Sequence, residues 1–307
     1  MNIPTFVMMI GLVGSGKTVK AHELAEQYNA TVFSSDALRK ELFGDINEQS
    51  KNQELFTELH GRIKNCLKNG KSAIMDCTNI NYKKRMAFLS ELKNISCEKV
   101  AVLMAIPYEK CLKRNSERER KVPEDVIKRM YMNFQCPWYH EGWNRIDVIY
   151  DNYAEDCKGL AREWVESVRD FNQENSHHAL SLGDHCWETV KYIDNNISMC
   201  HPTYTELRYA AMLHDEAKIF TKSFFDGKGQ PSKEAHYYFH QYCGAYDSLF
   251  YEMDCNHLYV AQLIQFHMHP YMSWMQSEKS KKRDRKNLGG QLFEDIMLLH
   301  KADEAAH

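Results

Sequence analysis

A chain of 307 residues with 43% hydrophobic and 12% aromatic content can bury a substantial core and exceeds the usual size of one domain, so two domains are expected. No apolar run is long enough to span a membrane, and "MNIPTFVMMIG" lacks the basic flank and cleavage site of a signal peptide, which points to the cytoplasm and away from a membrane partner. The net charge of −3 excludes a global basic field for nucleic-acid binding, and ten scattered cysteines without a C-x-x-C pair argue against a disulfide framework or a zinc knuckle.

The first element is unambiguous. "TFVMMIGLVGSGKTVKAHELAEQY" passes from an apolar strand through glycines into a helix with Ala21, Leu24, Ala25 and Tyr28 on one face. Gly11-x-x-x-x-Gly16-Lys17-Thr18 is a P-loop, in which Gly11, Gly14, Ser15 and Gly16 let backbone N–H groups close around phosphates. Lys17 then reaches the β/γ oxygens and Thr18 ligates Mg²⁺, so the implied cofactor is ATP or another nucleoside triphosphate with Mg²⁺.

Strand-like runs at "TVFSSD", "SAIMDCTN", "VAVLMAIP" and "IDVIYD" alternate with helix-compatible segments, predicting an α/β domain with a parallel sheet and helices on both faces. Ligand groups then gather at the C-terminal strand ends. Asp36 follows the second run, and Asp76, Thr78 and Asn79 close the third. Either Ser35 or Asp36 caps the helix "ALRKELF", or Asp36 accepts the proton of an attacking hydroxyl while Arg39, on the same helical face, binds an acceptor phosphate. Asp76 is placed as a carboxylate holding Mg²⁺ or its water. Arginines 114, 118 and 120 lie on a charged helical run ending near Pro123, which reads either as a lid over the donor or as a solvated helix.

"GLVGSGKT", "SSDALRKELFG", "DCTNINYKKR" and "RNSERERKVPEDVIKRMY", in this order, resemble the kinase domain of phage-type polynucleotide 5′-kinases over about residues 5–152. The resemblance implies that Asp36 activates a 5′-hydroxyl, that Arg39 contacts the acceptor phosphate, and that Arg114 and Arg118 contact the donor. Thr78, Asn79 and Arg85 are expected on the substrate side. The segment "RERKVP" is one residue shorter than the family's lid, so the resemblance assigns no role to Arg120.

The expected organisation is a kinase-like domain over 1–152, a connecting helix and polar break over 153–176, and an all-helical domain over 177–307. Twelve of the fifteen histidines lie beyond residue 176, which marks the second part as built for different chemistry. The predicted helices there are "DHCWETVKYIDNNI", "TELRYAAMLHDEAK", "KEAHYYFHQYCGAYDSLFYEM", "HLYVAQLIQFHMH" and "GGQLFEDIMLLHKADEAA". His185, His214 with Asp215, His240, His267 and Asp303 fall on five separate helices, and a bundle can project such residues into one centre suited to Zn, Mn, Fe, Co or Ni. "KSKKRDRKN", residues 279–287, is either a solvated loop or a contact for an RNA backbone.

Together, "GDHCWETV", "MLHDEAK", "YFHQYCGAYDS", "QFHMHP" and "HKADEAA" resemble the HD phosphohydrolase superfamily over about 177–307, with Ala217 where that family has glycine. The resemblance implies one metal on His185, His214, Asp215 and Asp303, a second on addition of His240 and His267, and a phosphate contact for Lys218. His177 and His178 either line that pocket or form a hydrated turn. A 5′-hydroxyl kinase joined to a metal-dependent phosphohydrolase fits an enzyme that heals RNA or DNA ends, upstream of an RNA ligase acting on the healed ends. Known bifunctional HD/kinase enzymes of RNA end healing carry the HD part first, whereas here it comes second. Two other readings remain open: a small-metabolite or nucleoside kinase fused to an HD nucleotidase, and a nucleotide-sensing regulator with an HD hydrolase.

Overall fold

The computed structural model describes residues 3–176 and 179–306, so His177 and His178 lie outside the described residues. The chain divides into two compact units. One runs to Met130 and takes in Pro137–Asp151, and the other comprises Tyr131–Cys136 and the chain from Asn152 onward. Residues 153–176, expected as a connection, therefore fall in the second unit.

The first unit contains β1 (Thr5–Ile10), α1 (Lys17–Tyr28), β2 (Ala30–Ser34), α2 (Ser35–Phe43), α3 (Asn52–Lys68), β3 (Ser72–Asp76), α4 (Tyr82–Glu91), β4 (Glu98–Ala105) and α5 (Tyr108–Ser116), then all but the last two residues of α6 (Glu124–Met132), and β5 (Arg145–Tyr150). Its sheet is wholly parallel in the order β2-β3-β1-β4-β5. Burial follows that order. Every residue of β1 is buried, as continuous apolar runs require at a sheet centre, whereas the edge strands β2 and β5 are mostly half-exposed. The chain leaves β1 toward β3 and β2 on one side and β4 on the other, and the crevice at such a reversal is where open α/β sheets bind ligands.

In the second unit the run expected as one helix from residue 154 is two, α7 (Tyr153–Asp156) and α8 (Ala161–Ser167). The break has a tertiary cause: Lys158 N–H donates to Phe250 O (2.7 Å) and Glu252 N–H to Gly159 O (2.9 Å), which holds the intervening backbone extended. There follow α9 (Leu182–Asn196), α10 (Tyr204–Leu213), α11 (Lys218–Thr221), β6 (Ser223–Phe225), β7 (Pro231–His236), α12 (His240–Asp247), α13 (His257–Phe266), α14 (Glu278–Leu288) and α15 (Gly290–Ala305). The core is helical, with α9 packed on α10 and α15, and α13 on α10, α12 and α15.

The all-helical expectation fails at β6 and β7, an antiparallel hairpin that takes over the start of the helix expected from residue 233. Asp226 explains it, because its carboxylate accepts from the N–H groups of Lys228 and Gln230, both at 2.8 Å, and so fixes the turn. The basic run 279–287 is not a loop either. It lies in α14, N-capped by Ser277, with Arg285 paired to Glu294 at 2.7 Å. Among the described residues no helix is long and apolar enough to cross a membrane.

Candidate active sites

In the first unit the groups expected to act on phosphate share one cleft of about 1380 Å³ at the C-terminal strand ends. Two glycines of the P-loop are dictated by backbone. Gly14 (φ +85°) passes so close to α5 that a Cβ would lie 2.4 Å from Cys111 O, and Gly16 (φ +83°) holds the left-handed turn that starts α1. Lys17 Nζ donates to Leu12 O (2.6 Å), inside the loop, and burial together with the nearby Arg118 charge lowers its pKa. Thr18 Oγ1 donates to Asp76 Oδ2 (2.8 Å), so the hydroxyl and carboxylate that fit Mg²⁺ already meet.

Ser34, and neither Ser35 nor Asp36, caps α2. Ser34 Oγ accepts from Ala37 N–H, which leaves the Asp36 carboxylate facing the cleft. Its two oxygens are held from different sides, Oδ1 by Arg39 Nη1 (3.1 Å) and Oδ2 by Arg120 Nη1 (2.9 Å). Arg39 is 5% exposed and anchored through Nη2 to Asn52 Oδ1 (2.8 Å), while its Nε has no partner. Arg120 also donates from Nε to Asn47 Oδ1 (3.0 Å). Sequence reasoning named Arg120 and left it without a role, and it passed over Asn47 and Asn52, because nothing local ties these residues to Asp36.

Arg114 and Arg118 line the cleft, with Arg114 Nη2 donating to Asp151 Oδ2 (2.7 Å). Thr78, Asn79 and Arg85 also line it, and hydrogen bonds made by each of them hold its wall together. Thr78 O accepts from Gly11 N–H (3.0 Å), Asn79 Nδ2 donates to Met9 O (2.8 Å), and Arg85 Nη1 donates to Asn79 O (2.9 Å). Arg85 departs furthest from a substrate contact: it is 1% exposed and bidentate to Glu141 at 2.8 and 2.6 Å. Burial raises the Glu141 pKa despite that guanidinium.

In the second unit six side chains converge from separate helices. His185 comes from α9, His214 caps α10 with Asp215 next to it, His240 opens α12, His267 caps α13, and Asp303 lies on α15. They form two groups, His185 with His214 and Asp303, and Asp215 with His240 and His267, and within each group the ligand atoms lie within 4.8 Å of one another. Asp215 faces both groups: Oδ2 is 3.4 Å from His214 Nε2, and Oδ1 is 3.3 Å from His240 Nε2.

The imidazoles share one orientation. Each Nδ1 is turned to a backbone carbonyl: His185 to Ala306 (3.3 Å), His214 to Ala211 (3.0 Å), His240 to Tyr237 (2.7 Å) and His267 to Ile264 (2.7 Å). With the Nδ1 protons committed there, the Nε2 lone pairs point inward, at 3.1 Å for His185 and His214 and 3.3 Å for His240 and His267. Facing lone pairs repel unless a cation or a proton lies between them, and carbonyl-anchored histidines are the usual support of a metal ligand, so this donor set fits one or two divalent transition ions. The two carboxylates favour a positive charge at this centre. Burial opposes charging His214, yet Asp215 and Asp303 overcome it and push its pKa up to about 10, while burial and the neighbouring imidazoles bring His267 down to about 3. Lys218 donates to Asp215 Oδ2 (2.7 Å) and to Gln173 Oε1 (2.8 Å), so it orients the carboxylate. Gln173 carried no sequence signal.

Residues 6–137 match the family model of an AAA domain. Over 165 residues, 52% of the chain, the sequence is 30% identical to the L-seryl-tRNA(Sec) kinase of Methanococcus maripaludis, and the match spans 64% of that relative, less than two thirds of its length. Among solved structures, the Pnkp1/Rnl/Hen1 RNA repair complex is similar at a TM-score of 0.38 with 18% identity, covering 43% of this chain and 44% of that one. A gluconokinase from Sinorhizobium meliloti is similar at a TM-score of 0.37 with 15% identity, covering 49% and 84%. Residues 6–137 thus match an AAA-domain model that contains the P-loop, and about half of the chain is similar in sequence to a kinase.

Proposed function

We propose that the chain heals nucleic-acid ends with two chemistries, an ATP-dependent 5′-hydroxyl kinase in the first unit and a metal-dependent hydrolase of 2′,3′-cyclic or terminal phosphates in the second. One observation carries the kinase assignment: Asp36 and Arg39, 3.1 Å apart, open onto the same cleft as Lys17 and the Thr18–Asp76 pair. Lys17 binds the transferring phosphate and Arg118 offsets its charge. Asp36 accepts the proton of the acceptor hydroxyl, and Arg39 holds the phosphate next to that hydroxyl. Thr18 and Asp76 would hold Mg²⁺.

In the second unit His185, His214, Asp215 and Asp303 would hold one ion, and His240 and His267, sharing Asp215, a second. Such an ion supplies a water that is nucleophilic at neutral pH and polarises a phosphoryl oxygen. The chain's own residues orient these ligands, with Lys218 and Gln173 fixing Asp215 and four carbonyls fixing the imidazoles.

A second reading is supported by the L-seryl-tRNA(Sec) kinase relative: an acceptor hydroxyl on an amino acid esterified to RNA. Phosphate transfer from labelled ATP to a 5′-hydroxyl oligoribonucleotide and to seryl-tRNA, measured side by side, separates the two. Label on the oligonucleotide 5′ end supports the first reading. Label on the seryl group alone replaces it with the second.

A further inference from the structure

The cleft of the first unit does not stop at Asp36. It continues between α3 and α4, where Phe56, His60 and Phe88 line it. Asn52, Phe56 and His60 repeat every four residues and so share one face of α3. Asn52 is the residue that anchors Arg39, and Phe56 lies about 6 Å beyond it along the helix axis.

The lining is aromatic. Phe56 and His60 meet edge to face with centroids 6.1 Å apart, and His60 lies against Phe88 at 4.0 Å with 30° between planes. Phe88 is buried beneath, while Phe56 and His60 stay half-exposed to the cleft. At the far end Glu91 takes His60 Nδ1 (3.2 Å) and Lys64 Nζ (2.6 Å), giving the strip a polar border. Burial lowers the His60 pKa against the opposing pull of the Glu91 carboxylate.

A sugar or a seryl group would reach Asp36 and leave this strip unused. A nucleoside carrying a 3′-phosphate would occupy all three features, with its 5′-hydroxyl at Asp36, its phosphate at Arg39 and a flat base on the rings. We propose that Phe56 and His60 form the base-binding subsite of the phosphate acceptor, recognising the terminal nucleobase by stacking. This rests on the reading of the first unit as a 5′-hydroxyl kinase and narrows its acceptor to a nucleotide end.

The test compares a 5′-hydroxyl oligoribonucleotide with the same strand abasic at its first residue. One stacked base contributes enough for about tenfold in binding, so wild-type protein is expected to show a KM about ten times higher for the abasic strand. Phe56→Ala with His60→Ala should bring that ratio close to one, and Phe56→Trp should keep it. Equal KM values for the two strands in the wild type, or a ratio that survives the double substitution, overturns the subsite while leaving the kinase reading standing. Absence of transfer to either strand, with ATP still bound, overturns the kinase reading and the subsite together.

Discussion

Arg120 Nη1 lies 2.9 Å from Asp36 Oδ2, across the carboxylate from Arg39. Both oxygens of the proposed base are therefore engaged before an acceptor arrives, and an incoming hydroxyl competes with these partners for the carboxylate. Arg39 is buried and tied to Asn52, whereas the Arg120 side chain is 32% exposed, so Arg120 is the one that yields. Arg120→Ala is expected to lower the acceptor KM by up to about fivefold, the range of a partly exposed ion pair. A raised KM in steady-state kinetics would show instead that Arg120 contacts the acceptor itself.

Arg39→Ala acts in the opposite direction. Loss of a charge-assisted contact of about 1.5–3 kcal/mol should weaken acceptors that carry a phosphate beside the reacting hydroxyl. The check is kcat/KM on a nucleoside 3′-phosphate and on the unphosphorylated nucleoside. An equal loss on both would mean that Arg39 only supports Asp36.

Arg85 gives a prediction about stability. Removing one partner of a buried ion pair leaves the other charge unpaired, so Arg85→Ala should cost about 3–5 kcal/mol in denaturant unfolding. Arg85→Lys should recover little, since an ammonium cannot match both oxygens of Glu141. Near-native stability of Arg85→Ala with impaired acceptor binding would return Arg85 to the substrate side.

His214→Ala or Asp215→Ala should strip the second unit of transition metal, and with it phosphate release from a cyclic-phosphate end, while 5′ phosphorylation persists. Metal analysis of the purified variants is the check. Unchanged metal content would place the ions elsewhere.

What could be read from the sequence follows from how local each signal is. The P-loop is one contiguous stretch whose glycines are fixed by backbone geometry, so it was legible outright. The six donors of the second unit were legible as candidates because each falls in or at the end of an apolar helical run, and the structure brings them together. Arg120, Gln173 and the Arg85–Glu141 pair were not legible, since each depends on two segments far apart in sequence meeting in space. The hairpin of β6 and β7 escaped because "KEAHYYFHQ" suits a helix by pattern, whereas the Asp226 turn and the pairing with Ser223 decide the backbone.

The central claim is that one chain carries two separable phosphate chemistries. The most direct measurement uses an oligoribonucleotide with a 5′-hydroxyl and a 2′,3′-cyclic phosphate, incubated with wild type, Lys17→Ala and His214→Ala, with and without ATP, and both ends mapped. The account predicts that wild type with ATP converts both ends, that Lys17→Ala or omission of ATP leaves only the 3′ conversion, and that His214→Ala leaves only the 5′ conversion. An intact cyclic phosphate with wild-type protein under every divalent metal tried, or loss of both conversions in either folded variant, would contradict it.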